Sequence, residues 1–125
     1  MESILLLRND EQGWNELNAT INNYFTKQNR QVFVFSSPSP KSGNSLEFCF
    51  LIDRKYIAKY CIGIDRDTYL GVLLLAIGPH YFSAAQFWSY ENSQRFTLEA
   101  STEGVERNLR LLDEFLGYPR ALPGT

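Results

Sequence analysis

The chain has 125 residues, the length of one domain, and its 44% hydrophobic and 21% charged residues are the proportions of an ordinary soluble globular protein. Nine Phe, seven Tyr and two Trp supply core material that a disordered chain lacks, and only two Cys and eight Gly exclude a disulfide scaffold or a collagen-like chain. A net charge of −2 argues against a nucleic-acid binder held by phosphate contacts.

Residues 1–125 read as a single domain. Ser3 to Leu7 is an apolar run suited to a short buried strand. Asn9 or Asp10 then caps a helix reaching about Lys27, with Trp14, Leu17, Ile21, Tyr24 and Phe25 at helical spacing on one face. Gln12 stands three residues after Asn9, in the capping-box position. Gln31 to Phe35 is β-branched and aromatic, hence a strand. The stretch Ser36 to Ser45, rich in Ser, Pro and Gly, reads as an exposed loop.

Leu46 to Ile52 and Tyr56 to Ile64 form a hairpin around Asp53-Arg54-Lys55. Asp65-Arg66-Asp67 makes the next turn, and Tyr69 to Ile77 is a strand apolar on both faces, expected to be interior and covered on each side. Gly78-Pro79 ends it. Tyr81 to Tyr90 is predicted helical, and Gln94 to Ala100 alternates as a strand with Phe96 and Leu98 pointing one way. Ser101 or Thr102 caps the last helix, whose apolar stripe is Val105, Leu109, Leu112, Phe115 and Leu116. Its Glu103, Glu106, Arg107, Arg110, Asp113 and Glu114 are expected to face water, with Gly117 as the stop and Pro119 just past it. The predicted order is β-α-β-β-β-β-α-β-α. That is an α+β domain with a mostly antiparallel sheet.

The opening MESILLLRND has an acid at Glu2 and a short apolar run, where a signal peptide needs a basic start and a longer one. Thr68 to Tyr90 carries no charged residue, but Gly78-Pro79-His80 interrupts it and Ser83, Gln86 and Ser89 dilute it, so no membrane span is expected. The expectation is a cytoplasmic chain with Cys49 and Cys61 reduced.

Catalytic patterns are scarce. Cys49 and Cys61 lie inside apolar strands, where thiolates are not stabilised, and His80 follows a Gly-Pro turn. Asp65, Asp67 and Asp53 lack the spacing of a metal-binding loop, and no phosphate-binding or dinucleotide-binding glycine pattern occurs. No cofactor, no metal and no enzymatic activity are expected. Residues 65–125 hold eight acidic and five basic groups, an imbalance suited to a basic partner. Tyr81, Phe82, Phe87, Trp88 and Tyr90 place more rings in one segment than one helix face buries. The expected interface is therefore Asp65, Asp67, Tyr81, Trp88, Tyr90 and Glu91.

Phe87-Trp88-Ser89-Tyr90, followed by Arg95 to Asp113 (RFTLEASTEGVERNLRLLD), resembles the small immunity proteins of bacterial polymorphic-toxin and contact-dependent inhibition systems. The resemblance implies a partner that is a cognate toxin protein domain, bound and neutralised by protein–protein contact. The alternative is a secretion chaperone or phage-type adaptor, which an exposed apolar groove and stable homodimerisation would favour. A small hydrolase is the third class.

Overall fold

A five-stranded antiparallel sheet, in the order β1-β2-β3-β4-β5, forms the body of the molecule. The computed structural model describes residues 6–36 and 45–118. Ser3 to Leu5 of the expected first strand, most of the Ser-Pro-Gly loop and Pro119 lie outside the described residues. Of that first segment, Leu7 is buried and donates its N–H to the Ala100 carbonyl at 2.6 Å.

Helix α1 spans Glu11–Thr26 and starts where Asp10 accepts the Gly13 N–H at 3.1 Å, so Asp10 and not Asn9 is the cap. A Cβ at position 13 would collide with the Arg8 carbonyl, so glycine allows the incoming chain to cross the first helical turn closely. Strand β1 (Val32–Val34) precedes the hairpin β2 (Ser45–Ile52) and β3 (Tyr56–Asp65). β4 (Thr68–Ile77) and β5 (His80–Phe82) complete the meander. Both central turns use left-handed backbone without glycine: φ is 51° at Asp53 and 59° at Arg54, then 50° at Arg66 and 67° at Asp67. Such angles suit the right-handed twist of hairpins, which favours two positive-φ residues between paired strands. Strand pairing overrides the local preference of Arg.

Alternation along the strands divides the sheet into two faces. On the inner face Leu46, Phe48, Phe50 and Ile52 of β2, Ala58, Tyr60 and Ile62 of β3, and Leu73 and Leu75 of β4 are all buried. They pack against Leu17, Ile21 and Phe25 of α1 and against Val105, Leu109 and Leu112 of α4 (Thr102–Leu116). Helix α4 begins with Ser101 accepting the Gly104 N–H at 3.0 Å and ends at Gly117, whose φ is 82°. The two stripes read from the sequence thus meet in one core. The structure is a single α+β architecture, as expected.

Three expectations need correction. Tyr81 to Tyr90 is not one helix: β5 takes residues 80–82, and two separate turns follow, α2 (Ala84–Phe87) and α3 (Tyr90–Ser93). Pairing of Tyr81 with Ala76 across the Gly78-Pro79 turn outcompetes helix formation there. Gln94 to Ala100 is not a full strand, since only Glu99 bridges to Leu70, and Phe96 packs inward while Leu98 is 54% exposed. Asp113 does not face water. It is 5% exposed and accepts hydrogen bonds from Arg30 and Tyr24 at 2.6 Å each.

That contact belongs to a charged cluster between α1, the β2–β3 turn and α4. The Arg30 guanidinium reaches Asp53 at 2.8 Å and Asp113 at 2.6 Å, and lies 4.0 Å from the Tyr118 ring centre. Burial works against the Arg30 charge, but the two carboxylates outweigh it and hold the guanidinium firmly protonated. Burial likewise opposes ionisation of Asp53, yet Arg30 and the Tyr118 hydroxyl keep its carboxyl below the usual range.

Candidate protein-binding surface

The opposite sheet face carries Phe33 and Phe35 of β1 and its continuation, Leu51 of β2, Ile57 of β3, and Leu70, Val72, Leu74 and Ala76 of β4. None of these residues is buried, and no described element lies over them. Among the described residues, therefore, β4 is interior to the sheet but covered on one face only, against the expectation that it is covered on each side. At about 4.8 Å between strands and about 3.3 Å per residue, four strands and some six residues make a patch of roughly 300 Å². Apolar patches of that order on monomers are often functional.

One polar cluster sits within it. Lys59 donates to the Glu47 carboxylate at 2.7 Å and lies 4.2 Å from the centre of the Tyr81 ring. The register sets Lys59 opposite Cys49 and Cys61 opposite Glu47. Burial pushes the Cys61 thiol up to about 11 and raises that of Cys49 as well, so both remain protonated thiols near neutral pH. Both cysteines are free. His80 pairs with Ile77, one residue out of phase with Tyr81, so its side chain leaves the sheet on the opposite face from the cysteines. The cluster neutralises its own charge and leaves a predominantly apolar surface.

The residues expected to form the interface are dispersed. Asp65 and Asp67 are exposed at the β3–β4 turn, while Tyr81 lies opposite Ala76, roughly 26 Å away along β4 at about 3.3 Å per residue. By strand alternation Asp65 lies at one end of the uncovered face and Tyr81 at the other, and the remaining four lie off it. Trp88 is half-buried, its ring 5.5 Å from Phe115 and 6.5 Å from Phe96, with the Arg95 guanidinium 5.6 Å from its centre. Tyr90 is 67% exposed and Glu91 is exposed beside it, in the excursion between β5 and Glu99. What sequence reading missed is the sheet face itself: β4 is apolar at every second position on both faces, a pattern that reads equally as a strand covered on each side.

Among the described residues no cluster of three His, Cys, Asp or Glu side chains is placed to hold a metal ion, and no helix is long and apolar enough to cross a membrane. Comparison with protein-family models, with curated proteins and with solved structures finds no match.

Proposed function

We propose that this chain is a non-catalytic binding protein of the immunity type, which neutralises a toxin domain in the cytoplasm by covering it. The observation that carries the reading is the uncovered apolar sheet face, crossed by one self-neutralised ion pair. A face of this kind gains free energy when a partner removes it from water, and Phe33 at 63% and Phe35 at 48% exposure are its most accessible apolar members, followed by Ile57. Protonated thiols and a histidine on the other side of the sheet support binding over nucleophilic catalysis.

Co-expression with the C-terminal domain of a toxin encoded beside this gene is expected to restore growth and yield a co-purifying complex. Ile57→Glu should lower that affinity at least tenfold while leaving the melting temperature within a few degrees, because a charge is placed in the exposed apolar row formed with Leu51 and Phe33. Turnover of a small substrate, with no rescue from any adjacent toxin, would overturn the proposal. The same apolar face also favours the chaperone or adaptor reading. In that case the captured chain is an unfolded secreted protein, and the binding protein is a stable homodimer in the absence of any toxin.

A further inference from the structure

We propose that the partner is engaged by strand addition at the β1 edge, through an extended segment that carries a carboxylate for Arg54. This rests on the protein-binding reading above and adds a mode of attachment and a chemistry for the partner. β1 is the first strand of the sheet. The Asp53 N–H donates to the Gln31 carbonyl at 2.9 Å, and the Phe35 N–H donates to the Cys49 carbonyl at 3.1 Å. Odd-numbered residues are thus turned towards β2, and by alternation the N–H and C=O groups of Val32 and Val34 point out along an edge with which no other described strand pairs. Natural edge strands are blunted by shortness, lysine, proline or a bulge. β1 is short, at three residues, but Val32-Phe33-Val34-Phe35 carries no lysine, proline or bulge.

A groove of about 470 Å³ lies against this edge. Asn22 and Thr26 of α1 form one wall, Phe33 and Leu51 contribute apolar surface, and Arg54 stands at the end nearest Val32. Among the described residues no carboxylate lines it. The charge of Arg30 is taken up by Asp53 and Asp113, whereas among the described residues Arg54 has no carboxylate within ion-pair distance. The groove is therefore locally positive on a chain whose net charge is −2. A second copy of this chain does not fit. Pairing β1 with itself about Phe33 sets Val32 against Val34, and the stretch 31–36 brings no acid to Arg54. The complementary ligand is an extended segment running antiparallel to β1. Its alternate side chains are apolar towards Phe33 and small or polar towards α1, and an acid closes its C-terminal end.

The test is an amide-resolved NMR titration of the full chain with the peptide acetyl-TVTVE-amide and its glutamine twin acetyl-TVTVQ-amide. The Glu peptide is expected to shift the Val32 and Val34 amides and to slow their hydrogen exchange at least tenfold at saturation. The Gln twin should bind at least fivefold more weakly. Arg54→Glu should abolish the difference and prefer acetyl-TVTVK-amide. Val34→Pro removes an outward N–H without touching the ladder to β2, and is expected to lose peptide binding. If Val34→Pro fails to fold, Arg54→Glu carries the test alone. Equal binding of the Glu and Gln peptides, retained binding by a folded Val34→Pro variant, or no response at millimolar peptide overturns the proposal. Toxin binding that is sensitive to Ile57→Glu, in a protein that ignores the peptides, discards the edge and keeps the protein-binding function.

Discussion

Replacing Arg30 by Ala removes the one cation that holds Asp53 and the buried Asp113 together, at 2.8 and 2.6 Å. Breaking a buried pair by deleting one partner costs about 3 to 5 kcal/mol, because the remaining charge stays desolvated. The Tyr24 hydroxyl still donates to Asp113 at 2.6 Å, which favours the lower part of that range. For a chain of 125 residues, an unfolding entropy of about 2.1 cal/mol/K per residue converts about 3 kcal/mol into a fall of roughly 11 °C in melting temperature. The pH dependence fixes the cause. Asp53 has its carboxyl depressed in the folded state, so its contribution is complete above the ordinary carboxylate range and disappears as pH falls through the depressed value. The gap between wild type and Arg30→Ala should accordingly be full at pH 7 and shrink in strong acid. Urea unfolding at pH 7 and near pH 2.5 measures it. A deficit below about 1 kcal/mol at pH 7, or an equal deficit at both pH values, refutes the electrostatic account.

Asn108→Ala should destabilise the protein by about 2 to 4 kcal/mol in denaturant unfolding, since the buried Asn108 amide serves the Tyr60 hydroxyl and both backbone groups of Thr97, each at 2.9 Å. Alkylation of the native protein by iodoacetamide should be slow at pH 8 and accelerate towards pH 11, because burial raises both thiols and that of Cys61 reaches about 11; fast reaction of Cys61 at pH 8 contradicts the packing described. The Leu73 amide should exchange with deuterium faster than those of Gly71 and Leu75. Gly71 donates to Leu98 at 2.8 Å and Leu75 pairs with Phe82, whereas the residue that would face Leu73 is Ala84, already turned into α2.

The elements that sequence reading located share one property: their signals are local. Periodicity and caps place α1 and α4, because the Asp10, Ser101 and Gly117 ends are read from neighbouring residues. Tyr69 to Ile77 is legible as an interior strand from its apolar run. Asp113 is different. It occupies a polar position of an amphipathic helix, and only the tertiary approach of Arg30, far away in the chain, makes its burial tolerable. The aromatic segment was misread for a related reason. Helical spacing of Tyr81, Ala84 and Trp88 competes with a two-residue turn that folds Tyr81 back onto Ala76, and pairing with β4 decides the outcome. The candidate surface was obscured because an apolar strand face carries no mark distinguishing a face buried within the fold from one reserved for a partner.

The strand order has a kinetic consequence. Every described strand pairs with its neighbour in the chain, so the sheet assembles through short hairpin closures that are fast and nearly independent. Arg30 and Asp113 are 83 positions apart. Closing a loop of that length costs on the order of 4 kcal/mol in chain entropy. The two helices are therefore expected to meet late, on a sheet already formed. The charged cluster then acts as a latch on the finished molecule: its removal, at about 3 kcal/mol, should accelerate unfolding on the order of a hundredfold while the rate of folding scarcely changes.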